Sequence, residues 1–186
     1  MEKILELKNI TKNFGNTRAL NEISFSLDKG KIYGLVGENG AGKSTLAKII
    51  SGGLKSDNGE IYYKEQIVIN HSPRKAKELG ISIVHQWGDL APNLRVLDNI
   101  FLGNEERGFI GILNRNYMQE KAYKILKEFD LDLDLNLPVE ELSPAYQQIV
   151  TITKALLVKN EFLIIDEGGA SLDKKELIEL FAILRK

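Results

Sequence analysis

The sequence predicts an α/β fold in which helices alternate with strands around a parallel sheet. Three observations support this prediction. Strand-like and helix-like segments alternate along most of the chain, the pattern that forms parallel sheets covered by helices. A glycine-rich loop separates an apolar strand from a helix. The stretch from Asn93 to about Leu142 is mostly helical, so we expect it to project from the sheet as a subdomain.

Composition excludes several classes of protein. The 186 residues suffice for one sizeable domain and a small subdomain. Lys plus Arg is 25 and Asp plus Glu is 26, so the net charge of -1 gives no electrostatic case for nucleic acid. The absence of cysteine excludes a disulfide framework and thiolate metal sites. No apolar run reaches the ~18 residues of a membrane span, and MEKILELKNI is not a signal peptide.

The first half of the chain is dominated by strand patterns. ILELKNI and EISFSL alternate apolar and polar residues, as half-buried strands do, and Asp28–Gly30 reads as a turn. KIYGLV is continuously apolar and predicts a strand buried on both faces. STLAKIIS predicts a helix that ends at Gly52–Gly53. EIYYKEQIVIN and GISIVH are again strand-like.

The second half is dominated by helices. NYMQEKAYKILKEF is the clearest amphipathic helix. DLDLDLNL alternates strictly but lies between helical stretches, so we interpret it as an irregular connector. A helix from Ser143 to about Val158 is followed by the strand FLII and by a final helix from Lys174.

The glycine-rich loop fits a phosphate-binding pattern. Gly37, Gly42, Lys43 and Ser44 occupy the fixed positions of G-x-x-x-x-G-K-[ST]. Glycines let backbone amides turn toward phosphates, the lysine reaches the β- and γ-phosphates, and the hydroxyl binds Mg²⁺. The alternative, a chance glycine-rich turn, is disfavoured because a strand precedes the loop and a helix follows it. The complete loop comprises Gly37, Glu38, Asn39, Gly40, Ala41, Gly42, Lys43, Ser44 and Thr45.

Two adjacent carboxylates follow the strand FLII. In ATPases with such a loop, the metal needs a carboxylate at the end of a second buried strand. Asp166 is placed to hold Mg²⁺, and Glu167 to orient or deprotonate the attacking water. The alternative is that both are ordinary acids at a strand end, and the phosphate loop makes this alternative the weaker one.

These motifs together resemble a known family. LVGENGAGKSTLAKIISG, LSPAYQQ, FLIIDE and ASLD occur in the order found in the nucleotide-binding domain of ABC transporters. GISIVHQWGDLAPNLRVLDNIFLGNE and NRNYMQEKAYKIL are most similar to ATP-binding subunits of monosaccharide importers of the ribose, galactose or xylose type. Those subunits carry two such domains in tandem, and this chain resembles most of the first. The resemblance implies a P-loop NTPase fold with N-terminal antiparallel strands, a core of residues 1–86 and 143–186, and a helical subdomain of 87–142.

The resemblance also implies roles for individual residues. Phe14 matches the aromatic that stacks on adenine, the alternative being a core phenylalanine. Gln86 matches the glutamine that reaches Mg²⁺ and water and couples to the transmembrane partner; the alternative is a polar strand-end residue. Asp173 matches the aspartate that communicates across the dimer, and Ser143 belongs to the loop that closes over the opposite domain's nucleotide. The implied cofactors are ATP and Mg²⁺, with Ser44, Gln86 and Asp166 around the metal.

The implied setting is the cytoplasmic face of the membrane, where the chain would be peripheral. The expected partners are transmembrane permease subunits, a second nucleotide-binding domain and, indirectly, a sugar-binding protein. No nucleic-acid partner is expected.

The sequence departs from the family in the loop that acts in trans. Leu142-Ser143-Pro144-Ala145-Tyr146 stands where the family has Leu-Ser-Gly-Gly-Gln. Ser143 and Pro144 suit a helix start. Proline, however, has no N–H, and losing one preorganised donor costs ~3 kcal/mol if that donor is used. Weakened catalysis and tolerated substitution both stay open at this point.

Two further departures lie near the C-terminus. Gly168-Gly169 replaces the family's Pro-Thr beside Glu167. The family has one more strand and a histidine after the last helix, whereas the only histidines here are His71 and His85. We therefore expect a truncated chain that binds nucleotide better than it hydrolyses it.

Three functions remain to be compared. The first is an ATPase subunit that powers sugar import. The second is a nucleotide-binding module with little or no turnover, suggested by the altered loop. The third is a soluble ABC protein that acts on ribosomes or in DNA repair, which the near-neutral charge and the lack of long heptads disfavour.

Overall fold

The computed structural model describes residues 2–84, 90–107, 111–157 and 160–166, together with residues 174 and 178. The chain forms two compact units. The first comprises Met1–Ile83 and Glu161–Ile164, and the second comprises Val84–Asn160 and Ile165–Lys186.

A four-stranded antiparallel sheet forms the first unit. Strand β1 (Lys3–Phe14) lies between β2 (Thr17–Asp28) and β3 (Asn58–Tyr63), and the short β4 (Gln66–Ile67) forms the other edge. The predicted N-terminal antiparallel strands are therefore confirmed. The segment EIYYKEQIVIN is a hairpin rather than one strand, because Lys64–Glu65 form a turn with φ angles of 49° and 63°.

One face of this sheet is covered by helix α1 (Lys43–Ile50). Leu5, Leu7 and Ile10 of β1 are almost completely buried in the same apolar cluster as Leu46 and Ile49 of α1. The helix stops as predicted at the glycine pair. Gly52 has a φ of 75°, and a Cβ there would lie 2.4 Å from the Ser72 carbonyl carbon.

Helix α2 (Pro73–Leu79) was not anticipated from the apolar pattern. Its sequence does carry start and stop signals. The Ser72 side chain accepts a hydrogen bond from the Lys75 amide, Pro73 is the first helical residue, and Gly80 ends the helix with a φ of 79°. Because only Ala76 of its seven residues is buried and Leu79 is partly buried, it lacks the broad apolar stripe that marks an amphipathic helix.

Strands β5 (Ile81–Val84) and β6 (Phe162–Ile165) pair in a separate sheet. Phe162 N–H donates to the Gly80 carbonyl, and Asp166 N–H donates to the Val84 carbonyl. Since both bonds advance in the same direction along the chain, the pair is parallel. The strands predicted at GISIVH and FLII are thereby confirmed.

The prediction of a buried strand at KIYGLV is wrong. Residues 31–36 form no strand, and all six are exposed. An apolar sequence is compatible with a buried strand. A strand forms, however, only where a neighbouring segment of the chain supplies ladder hydrogen bonds and buries its side chains. No described strand lies beside this segment.

Three helices pack together in the second unit: α3 (Val96–Phe101), α4 (Arg115–Glu128) and α5 (Pro144–Leu156). Residues 131–134 have no regular structure, as predicted for the DLDLDLNL connector, and a 3₁₀ turn covers Val139–Glu141.

Two of the C-terminal residues are described. Lys174 and Ile178 have helical backbone, in agreement with a final helix. Among the described residues, no helix is both long and apolar enough to span a bilayer.

Asn99 organises the turn that precedes α3. Its side chain is fully buried and accepts a hydrogen bond from the Ala91 amide at 2.7 Å. The side-chain amide donates to the carbonyls of Ala91, Leu94 and Arg95 at 2.9, 3.1 and 3.2 Å. One buried side chain thus provides the acceptor for the Ala91 amide and a second donor to three carbonyls that each also accept a backbone N–H.

Candidate nucleotide-binding site

The glycine-rich loop of the first unit runs from Gly37 to the start of α1. It lies open to solvent up to Ala41. Asn39 and Gly40 form a turn in which Gly40 has a φ of 82°, and the Ala41 amide donates to the Glu38 carbonyl at 3.1 Å. The chain therefore doubles back on itself immediately before the helix.

Lys43 closes this loop from the inside. Its ammonium donates to the carbonyl oxygens of Gly37 and Glu38, both at 2.8 Å. Because the two acceptors are neutral carbonyls, they hold the cation in place without neutralising its charge. The loop thereby surrounds a fixed positive charge, which is the feature that a phosphate needs.

Gly42 joins the loop to the sheet. It caps α1 in the left-handed conformation with a φ of 86°. A Cβ at this position would lie 2.5 Å from the Ala19 carbonyl oxygen and 2.8 Å from Leu20 Cδ2, both in β2. Backbone conformation and close approach therefore both require glycine here.

The N-terminus of α1 adds to the positive potential of the loop. The first turn contains no acidic residue, and no side chain caps it by a hydrogen bond. The aligned peptide dipoles place roughly half a positive charge at such a helix end. Lys43, the helix N-terminus and the glycine turn form a donor set that fits phosphate groups.

Phe14 lies in the same unit, at the end of the β1–β2 hairpin. It pairs with Thr17 across the turn, and its side chain is 50% exposed. This exposure rules out the alternative of a core phenylalanine. The Lys12 ammonium lies 5.7 Å from the ring centroid, on the same exposed part of the hairpin.

Asp57 anchors the strand that carries Phe14, and the sequence reasoning missed it. Its carboxylate accepts hydrogen bonds from Lys12 Nζ at 2.8 Å and from the Asn13 amide at 2.6 Å. The hydrogen bond from Lys12, followed by that from the Asn13 amide, holds the pKa of this carboxyl below its ordinary value. The partners are 44 or 45 residues apart in the chain, so no local pattern reveals them.

Asp166 and Ser143 belong to the second unit. Asp166 directly follows β6. Ser143 is the N-cap residue of α5 as predicted, but its side chain makes no capping hydrogen bond and is exposed. Within the described ranges, no group of three or more His, Asp or Glu residues is arranged to hold a metal by itself.

Gln147 was also missed by the sequence reasoning. Its side-chain amide donates to the Val139 and Leu142 carbonyls at 3.3 and 3.1 Å. It therefore ties the first turn of α5 to the backbone that leads into Ser143. Pro144 is the first residue of this helix, as predicted.

Three predicted site residues lie outside the described residues, namely Gln86, Glu167 and Asp173. His85 and Gly168–Gly169 lie outside them as well.

Comparison with known proteins identifies the family. The ABC transporter family model matches residues 20–170. The chain is 42% identical to the ribose import ATP-binding protein RbsA of Hahella chejuensis over 186 residues. It is 44% identical to the xylose import ATP-binding protein XylG of Histophilus somni over 187 residues. In both comparisons all of this chain is covered, and it spans 37% of the relative's length.

Solved structures show the same fold. The ADP conformation of MJ1267, an ATP-binding cassette of an ABC transporter, is 30% identical and superimposes with a TM-score of 0.85. The match covers 99% of this chain and 76% of that cassette.

The contact between Gly42 and β2 yields a prediction about stability. Gly42→Ala should lower the free energy of unfolding by more than Gly30→Ala. Both residues have left-handed backbone, which costs alanine roughly 1–2 kcal/mol, but only at position 42 does the added Cβ meet other atoms within 4 Å. Urea denaturation followed by circular dichroism gives both values. Equal losses in the two variants would show that the close approach at Gly42 is not a constraint.

Proposed function

The chain belongs to the ABC transporter family, and from this premise we propose that its first compact unit binds ATP at the loop of residues 37–45. The observation that carries this proposal is the position of Lys43. Its ammonium is fixed inside the loop by the Gly37 and Glu38 carbonyls, at the N-terminus of α1. A triphosphate would occupy the mouth of this loop and accept hydrogen bonds from the ammonium and from first-turn amides.

The proposed metal ligands are Ser44, Asp166 and Gln86, together with the nucleotide phosphates. When bound, Mg²⁺ supplies positive charge that neutralises the phosphate oxygens. Hydroxyl and carboxylate oxygens are suitable donors, because Mg²⁺ is usually held by one or two carboxylates plus substrate phosphates.

The base would stack on Phe14. An exposed ring on a hairpin end suits this role because a flat aromatic face accepts a base without reading its hydrogen-bonding edge. Asp57 would keep the ring in position, since it fixes the two residues that precede Phe14.

For hydrolysis, we propose Glu167 and Gln86 as the catalytic pair. Glu167 would orient or deprotonate the attacking water, and Gln86 would contact this water and the metal. Asp173 and Ser143 would act across a pair of nucleotide-binding domains. Gln147 would then have a positioning role, because it holds the backbone before Ser143.

We propose that the biological role is the energising of sugar import. The support comes from the relatives, whose names describe ribose, xylose and galactofuranose import or transport. The chain would act at the cytoplasmic face of the membrane, with permease subunits and a second nucleotide-binding domain. A sugar-binding protein would be an indirect partner.

A second candidate function is a nucleotide-binding module with little turnover. It is favoured by Pro144, which begins α5 directly after the exposed Ser143. A glycine there would offer an N–H at the helix start, whereas proline offers none. The opposite domain's phosphate would then lose one hydrogen-bond donor.

Nucleotide binding depends on Lys43 in this proposal. Lys43→Ala should raise the dissociation constant of Mg-ATP at least tenfold, because a charge-assisted hydrogen bond contributes about 1.5–3 kcal/mol. Isothermal titration calorimetry with the 186-residue chain measures this dissociation constant. Lys48→Ala is the matched control, since Lys48 lies on the same helix but is exposed and faces away from the apolar core. Unchanged affinity in Lys43→Ala would refute the proposed site.

Stacking on Phe14 predicts a loss that is specific to the base. Phe14→Ala should weaken Mg-ATP binding by about tenfold, since base–aromatic stacking contributes roughly 1–3 kcal/mol. Phe14→Trp should retain the affinity. Inorganic tripolyphosphate, which has no base, should bind the wild type and Phe14→Ala equally, and a parallel loss for both ligands would contradict stacking.

Turnover separates the two candidate functions. The importer proposal predicts ATP hydrolysis that Glu167→Gln reduces by at least 100-fold, measured as phosphate release. Pro144→Gly should raise the rate if the missing donor limits catalysis, by up to the ~100-fold that one donor is worth. Negligible turnover in the wild type and in Pro144→Gly, with intact Mg-ATP binding, would favour the binding module.

A further inference from the structure

We propose that Asn9 is a positioning residue: its left-handed backbone directs the Phe14 ring to the face of the sheet on which the glycine-rich loop lies. This role rests on the proposed function, in which Phe14 stacks on the base of the nucleotide. The direction of the strand that carries the ring does not depend on nucleotide, so it is measured separately.

Strand β1 interrupts its alternation of faces at Asn9. Leu7 and Ile10 are both almost completely buried in the core of the first unit, although they are three residues apart. Residues three apart in a regular strand point to opposite faces. Asn9 lies between them with a φ of 53°, and the register slips by one residue at this point against both β2 and β3. It therefore forms a β-bulge in the middle of the sheet.

Side chains replace the ladder hydrogen bonds that the bulge interrupts. The Asn9 amide donates to Ser24 Oγ at 2.8 Å, and this hydroxyl donates to Asn9 Oδ1 at 3.1 Å. The buried Thr11 hydroxyl donates to the Asn9 carbonyl at 3.5 Å and accepts a hydrogen bond from the Glu22 amide at 3.1 Å. Glu22 also has left-handed backbone, with a φ of 51°. Side chains of both strands thus hold the bulge in place.

Strand β3 approaches the bulge closely from the other side. Gly59 has a φ of 95°, and a Cβ there would lie 2.5 Å from the carbonyl oxygens of both Lys8 and Asn9. Any side chain at this position would push the bulge away from β3. The neighbouring strands therefore accommodate the extra residue of β1 on both of its edges.

Residues after the bulge point toward the glycine-rich loop. Lys12 pairs with Leu20 of β2, and Leu20 Cδ2 would lie 2.8 Å from a Cβ at Gly42. Because facing residues of an antiparallel pair point to the same side, Lys12 points to the side of Gly42 as well. Phe14 is two residues further along β1 and shares this side. The distance of 5.7 Å between the Lys12 ammonium and the ring centroid agrees with this placement.

Without the bulge, the ring would point the other way. Lys8 precedes the bulge and points to the outer face of the sheet, where its ammonium lies 4.2 Å from the centroid of the Tyr62 ring. Lys8 and Phe14 are six residues apart, so a regular strand would place both on the outer face. A slip of one residue moves every later side chain to the opposite face. Asn9 therefore determines whether the ring and the loop contact the same nucleotide.

The orientation of the hairpin end tests the bulge without nucleotide. Asn9→Val should change the N–H residual dipolar couplings of residues 12–18, because β-branched residues strongly disfavour left-handed backbone. Asn9→Gly is the matched variant and should leave these couplings unchanged, because glycine adopts this backbone conformation freely. The couplings of residues 4–7, which precede the bulge, should stay the same in both variants. Circular dichroism checks that both variants fold.

Nucleotide affinity tests the consequence for binding. Asn9→Val should raise the dissociation constant of Mg-ATP about fivefold and that of inorganic tripolyphosphate less than about twofold, because only base stacking is impaired. Asn9→Gly should retain both affinities. Ser24→Ala should weaken Mg-ATP binding about threefold, because it removes two hydrogen bonds to Asn9. Ser26→Ala, at an exposed serine of the same strand, is the matched control and should have no effect.

Each outcome decides for or against the role of Asn9. Equal dipolar couplings in Asn9→Val and Asn9→Gly would overturn it, as would equal Mg-ATP affinities in these two variants. A parallel loss of Mg-ATP and tripolyphosphate binding would also overturn it, because it would indicate a loss of stability alone. If Asn9→Val does not fold, the comparison of Ser24→Ala with Ser26→Ala decides by the same measurements.

Failure of the proposed function would give a different result. The wild-type chain would then not bind Mg-ATP, or Phe14→Ala would leave its affinity unchanged. The residual dipolar couplings of the nucleotide-free variants would still show whether Asn9 directs the hairpin end.

Discussion

The close approach of Gly42 to the backbone of β2 is the constraint on which the candidate site depends. It fixes where α1 begins, because the helix starts at the next residue. The start of the helix in turn fixes Lys43, whose ammonium returns to the Gly37 and Glu38 carbonyls. The close contact between Gly42 and β2 thus positions the N-terminus of α1, the Lys43 ammonium and the loop together.

The β1–β2 hairpin connects the two parts of the proposed nucleotide site. Its second strand supplies the Ala19 carbonyl against which Gly42 packs, and its turn carries Phe14. Asp57 adds a long-range tether by binding Lys12 and Asn13. The glycine-rich loop and the exposed Phe14 ring are consequently held by the same two strands, within one compact unit.

The apolar residues before the loop show that local sequence alone does not determine whether a segment forms a buried strand. IYGLV has the composition of a buried strand, yet in this chain its side chains are exposed. Burial requires a neighbour that the described residues do not provide. The loop after these residues, by contrast, closes through hydrogen bonds from Lys43 and Ala41 to nearby carbonyls and through the packing of Gly42 against β2.

The sequence by itself determined the features that depend on local chemistry. These are the glycine turn before α1, the helix that starts at Pro144, the glycine stop of α1 and the alternating strands of the hairpin. Capping residues, glycine conformation and side-chain period act over a few residues, so a pattern reveals them. Tertiary structure alone decided that Phe14 is exposed, that Asp57 and Gln147 anchor distant backbone, and that KIYGLV forms no strand. Each of these features depends on whether residues distant in the sequence lie nearby in the fold. A local sequence pattern does not contain that information.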